Sequence, residues 1–182
     1  MPWSPEIWHA AWEFASRAHH GQRLPGSELP YAGHVAAVAM EVARAIAIRQ
    51  AGAAPVERPD LAIACALLHD VVEDTPTSLA TIAAQFGPEV ARGVAALSKD
   101  PGVGDKPAQM LDSLTRIREC PPEVWMVKLG DRIHNLREPP HYWTREKIAT
   151  YRDEAKQIHA ALADACPVLA ARLLDRIDRY AT

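Results

Sequence analysis

The sequence lacks an apolar run long enough to cross a membrane. Its longest purely apolar stretch is Leu61–Leu68, whereas a membrane helix needs roughly 18 to 20 such residues. The N-terminal segment MPWSPEIWHA also lacks the basic and then apolar layout of a signal peptide. We therefore expect no association with a membrane and a cytoplasmic location.

Cysteine and excess positive charge are both scarce. The three cysteines, Cys65, Cys120 and Cys166, are widely spaced and form no C-x-x-C pair, so no disulfide framework is expected and a reducing compartment fits. The 20 basic and 23 acidic residues give a net charge of −3, whereas a protein that coats nucleic acid needs a basic excess. This balance argues against nucleic acid as a partner but allows a small anionic ligand in a local basic pocket.

Runs of β-branched residues that alternate with polar ones are missing, and alanine is abundant. Most of the 15 prolines and 9 glycines fall between stretches with helical spacing. We predict an all-α fold in which residues 1–182 form a single domain of packed helices. The third helix should run from Pro59 to near Val71, and residues 144–180 should form two charged, amphipathic packing helices.

A His-Asp pair closes the most apolar helix of the sequence. His69 and Asp70 follow the run ACALL, and Glu73 and Asp74 come directly after two valines. Four polar or charged groups at the end of a buried helix cost free energy unless something pairs with them. A metal ion is the commonest partner for an imidazole beside carboxylates, so this segment predicts a metal site.

Two further side chains complete a ligand set with His69 and Asp70. His34 lies in the first turn of the second helix, and Asp131 lies within the apolar run WMVKLGDRIHNL. Lys128 and Asn135 share the helical face of Asp131, because they are three and four residues away from it. Two histidines and two aspartates suit one manganese, iron, zinc or nickel ion, while magnesium seldom takes imidazole.

Three motifs in the same order resemble those of HD-superfamily hydrolases, and most closely those of the RelA/SpoT-homologue hydrolase domain. The motifs are YAGH at 31–34, ALLHDVVEDT at 66–75 and VKLGDRIHNL at 127–136, with AHHGQR at 18–23, FGPEVARGVAALSKD at 86–100 and TYRDEAKQI at 150–158 as supporting segments. The resemblance covers residues 10–160. Since the chain has no room for a synthetase or regulatory domain, it is similar to a stand-alone small alarmone hydrolase.

The resemblance implies an all-helical HD domain, one Mn²⁺ ion and a reaction. The ion is held by the residues that match His34, His69, Asp70 and Asp131. The reaction removes pyrophosphate from the 3′ position of (p)ppGpp and leaves GDP or GTP. A bound ion of this kind lowers the pKa of a water molecule and polarises the 3′-phosphate.

The same resemblance implies roles for six other side chains. Glu73 and Asp74 match the acidic pair that orients or deprotonates the attacking water. The remaining four match substrate-binding positions: Asn135 on the nucleoside side, Arg23 against the base, Lys128 beside the ion, and Tyr151 within reach of the ligand.

Other functions stay open at this point, because Leu24-Pro25 and residues 104–119 are less basic than in many relatives. An HD hydrolase of (p)ppApp, of a dinucleotide phosphate or of a nucleoside monophosphate is one alternative. A nucleotide sensor without catalytic activity is another, although such a sensor has no need of Glu73 and Asp74. The amphipathic helices near the C-terminus also leave a homodimer open.

Overall fold

The computed structural model describes residues 2–180, and every regular element in that range is helical. The helices are α1 (Pro5–Ala18), α2 (Ala32–Gln50), α3 (Pro59–Leu68), α4 (Val71–Asp74), α5 (Leu79–Phe86), α6 (Pro88–Leu97), α7 (Lys106–Arg118), α8 (Pro122–Asn135), α9 (Arg145–Leu162) and α10 (Pro167–Arg179). A 3-10 turn, Ala163–Ala165, joins α9 to α10. The predicted all-α fold is confirmed.

Short polar residues define where several helices begin. Ser4 accepts hydrogen bonds from the backbone N–H groups of Glu6 and Ile7, directly before Pro5 at the first position of α1. Ser78, Asp105 and Thr144 cap α5, α7 and α9 in the same way. The cap at Asp105 starts α7 at Lys106.

Helix α3 forms the centre of the core. Every residue from Leu61 to Leu68 is buried, as expected for a helix that is apolar on all sides. The helix packs against α1, α2, α6 and α8, so its C-terminal end lies among the elements that carry the predicted ligands.

The third helix ends at Leu68, which corrects the predicted end near Val71. The chain turns at His69 and Asp70, and the short helix α4 begins at Val71. The His69 ring nitrogen Nδ1 lies 2.8 Å from the carbonyl oxygen of Ala66, so the imidazole satisfies a carbonyl in the last turn of α3. This turn separates His69 and Asp70 from Glu73 and Asp74.

Helices α2 and α8 approach each other closely at Gly130. A Cβ atom at this position would lie 3.2 Å from Cγ2 of Val42 and 3.5 Å from the carbonyl oxygen of Val38. The missing side chain therefore lets α8 lie directly on α2, one residue before Asp131.

The packing around Gly93 in α6 predicts a loss of stability for Gly93→Ala. The added Cβ would lie 2.7 Å from Sγ of Cys65 and 3.0 Å from Cγ2 of Val124. Overpacking of this kind costs about 1–3 kcal/mol, which exceeds the gain of roughly 1 kcal/mol from replacing a helical glycine. We expect thermal unfolding to show a Tm several degrees below that of the wild type.

Gly33→Ala is the matched control for this variant, because a Cβ at Gly33 in α2 meets no atom within 4 Å. Its Tm should stay the same or rise. Equal Tm values for the two variants would show that α3 and α6 adjust to the added methyl group at no cost.

Candidate metal centre and adjoining cavity

Four side chains from three separate segments converge, and we call them the His–Asp cluster: His34, His69, Asp70 and Asp131. Helix α2 supplies His34 in its first turn, the turn after α3 supplies His69 and Asp70, and α8 supplies Asp131. His34, His69 and Asp131 are buried, and one potential ligand atom from each lies within 4.8 Å of the others. The sequence placed these residues 35 to 97 positions from His34, and the fold brings them together.

The spacing of the donor atoms fits one small cation. Nε2 of His34 lies 3.3 Å from Nε2 of His69, 3.3 Å from Oδ2 of Asp70 and 3.4 Å from Oδ1 of Asp131. Nε2 of His69 lies 3.0 Å and 3.8 Å from the same two carboxylate oxygens. Ligands bound at about 2.1 Å lie roughly 3.0 Å apart at right angles and 3.4 Å apart in a tetrahedron. The cluster can therefore hold a divalent metal ion.

The hydrogen bond of His69 sets which of its nitrogens is free. A carbonyl oxygen only accepts hydrogen bonds, so the contact with Ala66 requires a proton on Nδ1 of His69. In the neutral ring, Nε2 then has a lone pair, and this atom faces the other members of the cluster. His69 is thus in the tautomer that a metal ligand requires.

Opposite charges in the cluster shift the pKa values of its members strongly. Burial alone would lower the pKa of His34, but hydrogen bonds and charge interactions with Asp131 and Asp70 outweigh burial and raise it to about 9. Burial would raise the pKa of Asp131, yet Lys128 and then the two histidines hold it well below its usual range. The charges of Asp70 and Asp131 raise the pKa of His69 as well, so without a metal ion the histidines favour their protonated forms, and a cation that binds must displace those protons.

Helix α8 holds Asp131 from both sides along one face. Asn135 donates a hydrogen bond of 2.6 Å from Nδ2 to Oδ1 of Asp131, and Nζ of Lys128 lies 3.3 Å from Oδ2. The contacts follow from the spacing of three and four residues along the helix. Lys128 and Asn135, two of the predicted substrate-binding residues, thus also hold the carboxylate of Asp131, a predicted metal ligand.

Tyr31 supports the cluster from the N-terminal end of α2. Its hydroxyl group donates a 2.6 Å hydrogen bond to Oδ2 of Asp70, the oxygen that faces both cluster histidines. Its ring lies between those of His19 and His34, with centroid distances of 4.8 and 5.3 Å. No role was predicted for this tyrosine, although its position three residues before His34 was a usable signal.

A cavity of about 850 Å³ adjoins the cluster through Lys128, which lines the cavity and contacts Asp131, while the four cluster residues are not among those that line it. Lys128 and Tyr151 line it, as do the acidic Glu73 and the buried Arg132. The guanidinium group of Arg132 lies 4.0 Å from the centroid of the Tyr151 ring. The cavity thus places two of the four predicted substrate-binding residues along one wall.

The cavity is rich in positive charge. Its cationic residues are Lys99, Lys106, Lys128, Arg132 and Lys147, and its acidic residues are Glu73 and Glu154. Three more cations than acids line the wall, which favours a ligand with several negative charges. Lys99 and Lys147 were not predicted, because isolated lysines in loops and on helix surfaces carry no signal of a shared pocket.

The two acidic residues of α4 differ in their surroundings. Glu73 accepts a 2.8 Å hydrogen bond from the backbone N–H of Lys99, and its other oxygen lies 3.7 Å from Nζ of that lysine. Asp74 is exposed as a residue, but its carboxyl is partly buried, and this burial and then the charge of Asp70 raise its pKa. Glu73 is therefore anchored at the cavity wall, and Asp74 is the freer acid beside the cluster.

Arg23 departs from the expected arrangement. It sits in the loop between α1 and α2 and forms an ion pair with Glu28, and both side chains are largely exposed. It is not among the residues that line the cavity. The structure therefore does not bring Arg23 together with Lys128 and Tyr151.

The regular elements of residues 2–180 are all helical, and two histidines and two aspartates meet beyond the end of α3, an arrangement that indicates the class of this protein. The family model described as HD domain matches residues 11–169. The chain belongs to the HD domain family, which confirms the resemblance seen in its motifs.

Within this family, the chain is similar to the human guanosine-3′,5′-bis(diphosphate) 3′-pyrophosphohydrolase MESH1. The two are 31% identical over 154 residues, which cover 80% of this chain and 79% of the human protein. A GTP pyrophosphokinase of Streptomyces coelicolor is also 31% identical over 156 residues, but these cover only 17% of that longer protein.

Solved structures confirm the fold. The structure of a metazoan orthologue of SpoT, a protein that hydrolyses ppGpp, superimposes with a TM-score of 0.79 at 23% identity and covers 98% of this chain and 97% of its own. A Listeria monocytogenes protein matches with a TM-score of 0.57 at 22% identity, over 83% of this chain and 99% of its own. The helices over residues 2–180 include none that is long and apolar enough to span a membrane.

Proposed function

We propose that the protein is a metal-dependent hydrolase that removes the 3′-pyrophosphate from guanosine 3′,5′-bis(diphosphate) and leaves GDP and pyrophosphate. The single observation that carries this proposal is the His–Asp cluster beside a cavity lined by cations. The name of the similar human protein supports the substrate and the bond that breaks. The same activity on the triphosphate form would leave GTP.

The metal site of the proposal consists of the four members of the His–Asp cluster. Asp70 joins His34, His69 and Asp131 because its Oδ2 lies within 3.3 Å of both imidazole nitrogens. We propose Mn²⁺ as the ion, since mixed imidazole and carboxylate ligands suit it, as they also suit iron, zinc and nickel. When bound, the ion supplies a Lewis acid that polarises the 3′-phosphate and lowers the pKa of a water molecule.

Glu73 and Asp74 handle the attacking water in this proposal. A general base works best when its pKa lies near the working pH, and the raised pKa of Asp74 moves it in that direction. Glu73 is fixed by the backbone of Lys99, so its carboxylate can orient a water molecule without moving. The pair therefore divides into a base and a positioning group.

The substrate-binding part of the proposal uses the cavity wall. Lys128 compensates charge on the phosphate next to the cluster, and Tyr151 offers an aromatic face to the nucleoside. Asn135 contacts the nucleoside part of the substrate, while the N–H of its side-chain amide donates a hydrogen bond to Asp131. Arg23 stacks on the base only after its exposed pair with Glu28 opens, which costs little free energy because surface ion pairs are weak.

An assay of phosphate and pyrophosphate release over a nucleotide panel tests the proposal. The panel contains ppGpp, pppGpp, ppApp and nucleoside monophosphates, and mass spectrometry of the purified protein identifies the bound ion. We expect pyrophosphate from ppGpp. If every 3′-pyrophosphorylated nucleotide is inert while another ester is cleaved, the protein is a different HD hydrolase. If none is cleaved but ppGpp binds, it is a sensor.

We also propose that the protein is located in the cytoplasm and that its residues 1–182 form a single catalytic domain. Its three cysteines are free and buried, which suits a reducing compartment. A homodimer through α9 and α10 stays a prediction, and size-exclusion chromatography with light scattering would test it.

A further inference from the structure

A third histidine, His134, contacts the His–Asp cluster from outside. Nδ1 of His134 lies 2.8 Å from Nδ1 of His34, and the ring centroids are 4.9 Å apart. His134 follows Asp131 by three residues on α8, and His34 lies on α2. The contact thus links the two helices that hold opposite sides of the cluster.

The short distance between these nitrogens restricts their protons. Two N–H groups cannot point at each other across 2.8 Å, so one nitrogen donates and the other accepts. If His134 donates, the neutral ring of His34 carries its proton on Nε2. If His34 donates from Nδ1, its Nε2 has a free lone pair.

Only the second arrangement leaves His34 able to bind a cation. Nε2 is the atom of His34 that faces His69, Asp70 and Asp131 at 3.3 to 3.4 Å. We propose that His134 is a positioning residue: its Nδ1 accepts a hydrogen bond from Nδ1 of His34 and holds His34 in the tautomer and ring orientation that present Nε2 to the ion. This inference rests on the metal site of the proposed function.

The two cluster histidines are then fixed by partners of different kinds. His69 donates to the backbone carbonyl of Ala66, which no side-chain substitution removes. His34 depends on a side chain, and such partners of metal-binding histidines typically change metal affinity by 10- to 100-fold. Substitution of His134 should therefore alter the metal affinity of the cluster through His34 without replacing a ligand.

Two substitutions separate the hydrogen bond from mere packing. His134→Leu keeps bulk but has no acceptor, whereas the side-chain oxygen of His134→Asn can occupy the place of Nδ1 and accept the same bond. Titration calorimetry with Zn²⁺ or Mn²⁺ should show binding about 10- to 100-fold weaker for the leucine variant. The asparagine variant should recover most of the wild-type affinity.

His9→Leu is the matched control, because His9 is exposed on α1 and its loss should leave the affinity unchanged. Thermal unfolding in the presence of a chelator shows whether each variant folds. If His134→Leu does not fold, the metal affinity of the asparagine variant and the NMR spectra of the wild type still test the inference. Side-chain ¹⁵N NMR spectra of the Zn²⁺-loaded wild type should then show a proton on Nδ1 of His34 and none on Nδ1 of His134.

Four outcomes would overturn the inference. Equal affinities of wild type and His134→Leu, or a proton on Nδ1 of His134 in the NMR spectra, would refute the role of His134 and leave the proposed function standing if ppGpp is still cleaved. A weakened asparagine variant, as weak as the leucine variant, would assign the effect to packing. A wild type that binds no divalent ion would end both the inference and the proposed function.

Discussion

Replacing Glu73 and Asp74 together with alanine is expected to lower the turnover of ppGpp by about 10²- to 10⁴-fold, the usual contribution of a general acid or base. Neither side chain belongs to the His–Asp cluster, so the double variant should still bind its ion. Steady-state kinetics gives the turnover, and mass spectrometry gives the metal content. The loss should appear in kcat rather than in KM, because the pair acts on water and not on substrate binding.

The control for this pair removes the same charge elsewhere. Glu57 and Glu119 are exposed and do not line the cavity, so their double alanine variant should keep the wild-type rate. Separate variants divide the roles: Asp74→Asn should cause most of the loss, while Glu73→Gln keeps an acceptor for the Lys99 backbone. An undiminished rate for the Glu73 and Asp74 double variant would refute the assigned roles.

Removal of the metal ion is the second large effect that we expect. Lewis-acid stabilisation of a phosphoryl group contributes several kcal/mol, so chelator-treated protein should lose about 10³-fold or more in turnover. Addition of Mn²⁺ should restore the rate. Asp131→Asn should imitate the loss, because it removes a carboxylate on which His34, Lys128 and Asn135 all converge.

The control for metal removal is an exposed aspartate that has no contact with the cluster, and Asp164→Asn serves this purpose. It should bind the ion and turn over substrate like the wild type. Full activity of protein shown by mass spectrometry to be free of metal would contradict the proposed mechanism, whatever the rate of the Asp131 variant.

The sequence predicted the His–Asp cluster because its members occur in ordered motifs with strong local signals. His69 and Asp70 end a helix that is apolar on all sides, and Asp131 interrupts an apolar run, so each residue is conspicuous against its neighbours. Helix spacing also placed Lys128 and Asn135 beside Asp131. The placement of Lys128 and Asn135 holds because it depends on local helix geometry, whereas the approach of His34 to Asp131 depends on the packing of α2 against α8.

The cavity was much harder to predict than the cluster. Lys99, Lys106 and Lys147 come from a loop, a helix start and a late helix, and only tertiary packing places them around one space. Arg23 is the opposite case: its motif implies a contact with the substrate, but in the folded loop it pairs with Glu28. The turn after Leu68 also depends on a side-chain hydrogen bond of His69 that hydrophobic spacing cannot reveal.

The contact of Gly130 with α2 has a consequence for the evolution of the metal centre. A Cβ atom at position 130 would lie 3.2 Å from Cγ2 of Val42, so the close contact between α2 and α8 sets the distance between His34 and Asp131. A larger residue at position 130 would push the two helices apart and increase that distance, unless a smaller residue replaced Val42. Among related proteins that retain the ion, substitutions at positions 42 and 130 should therefore occur together.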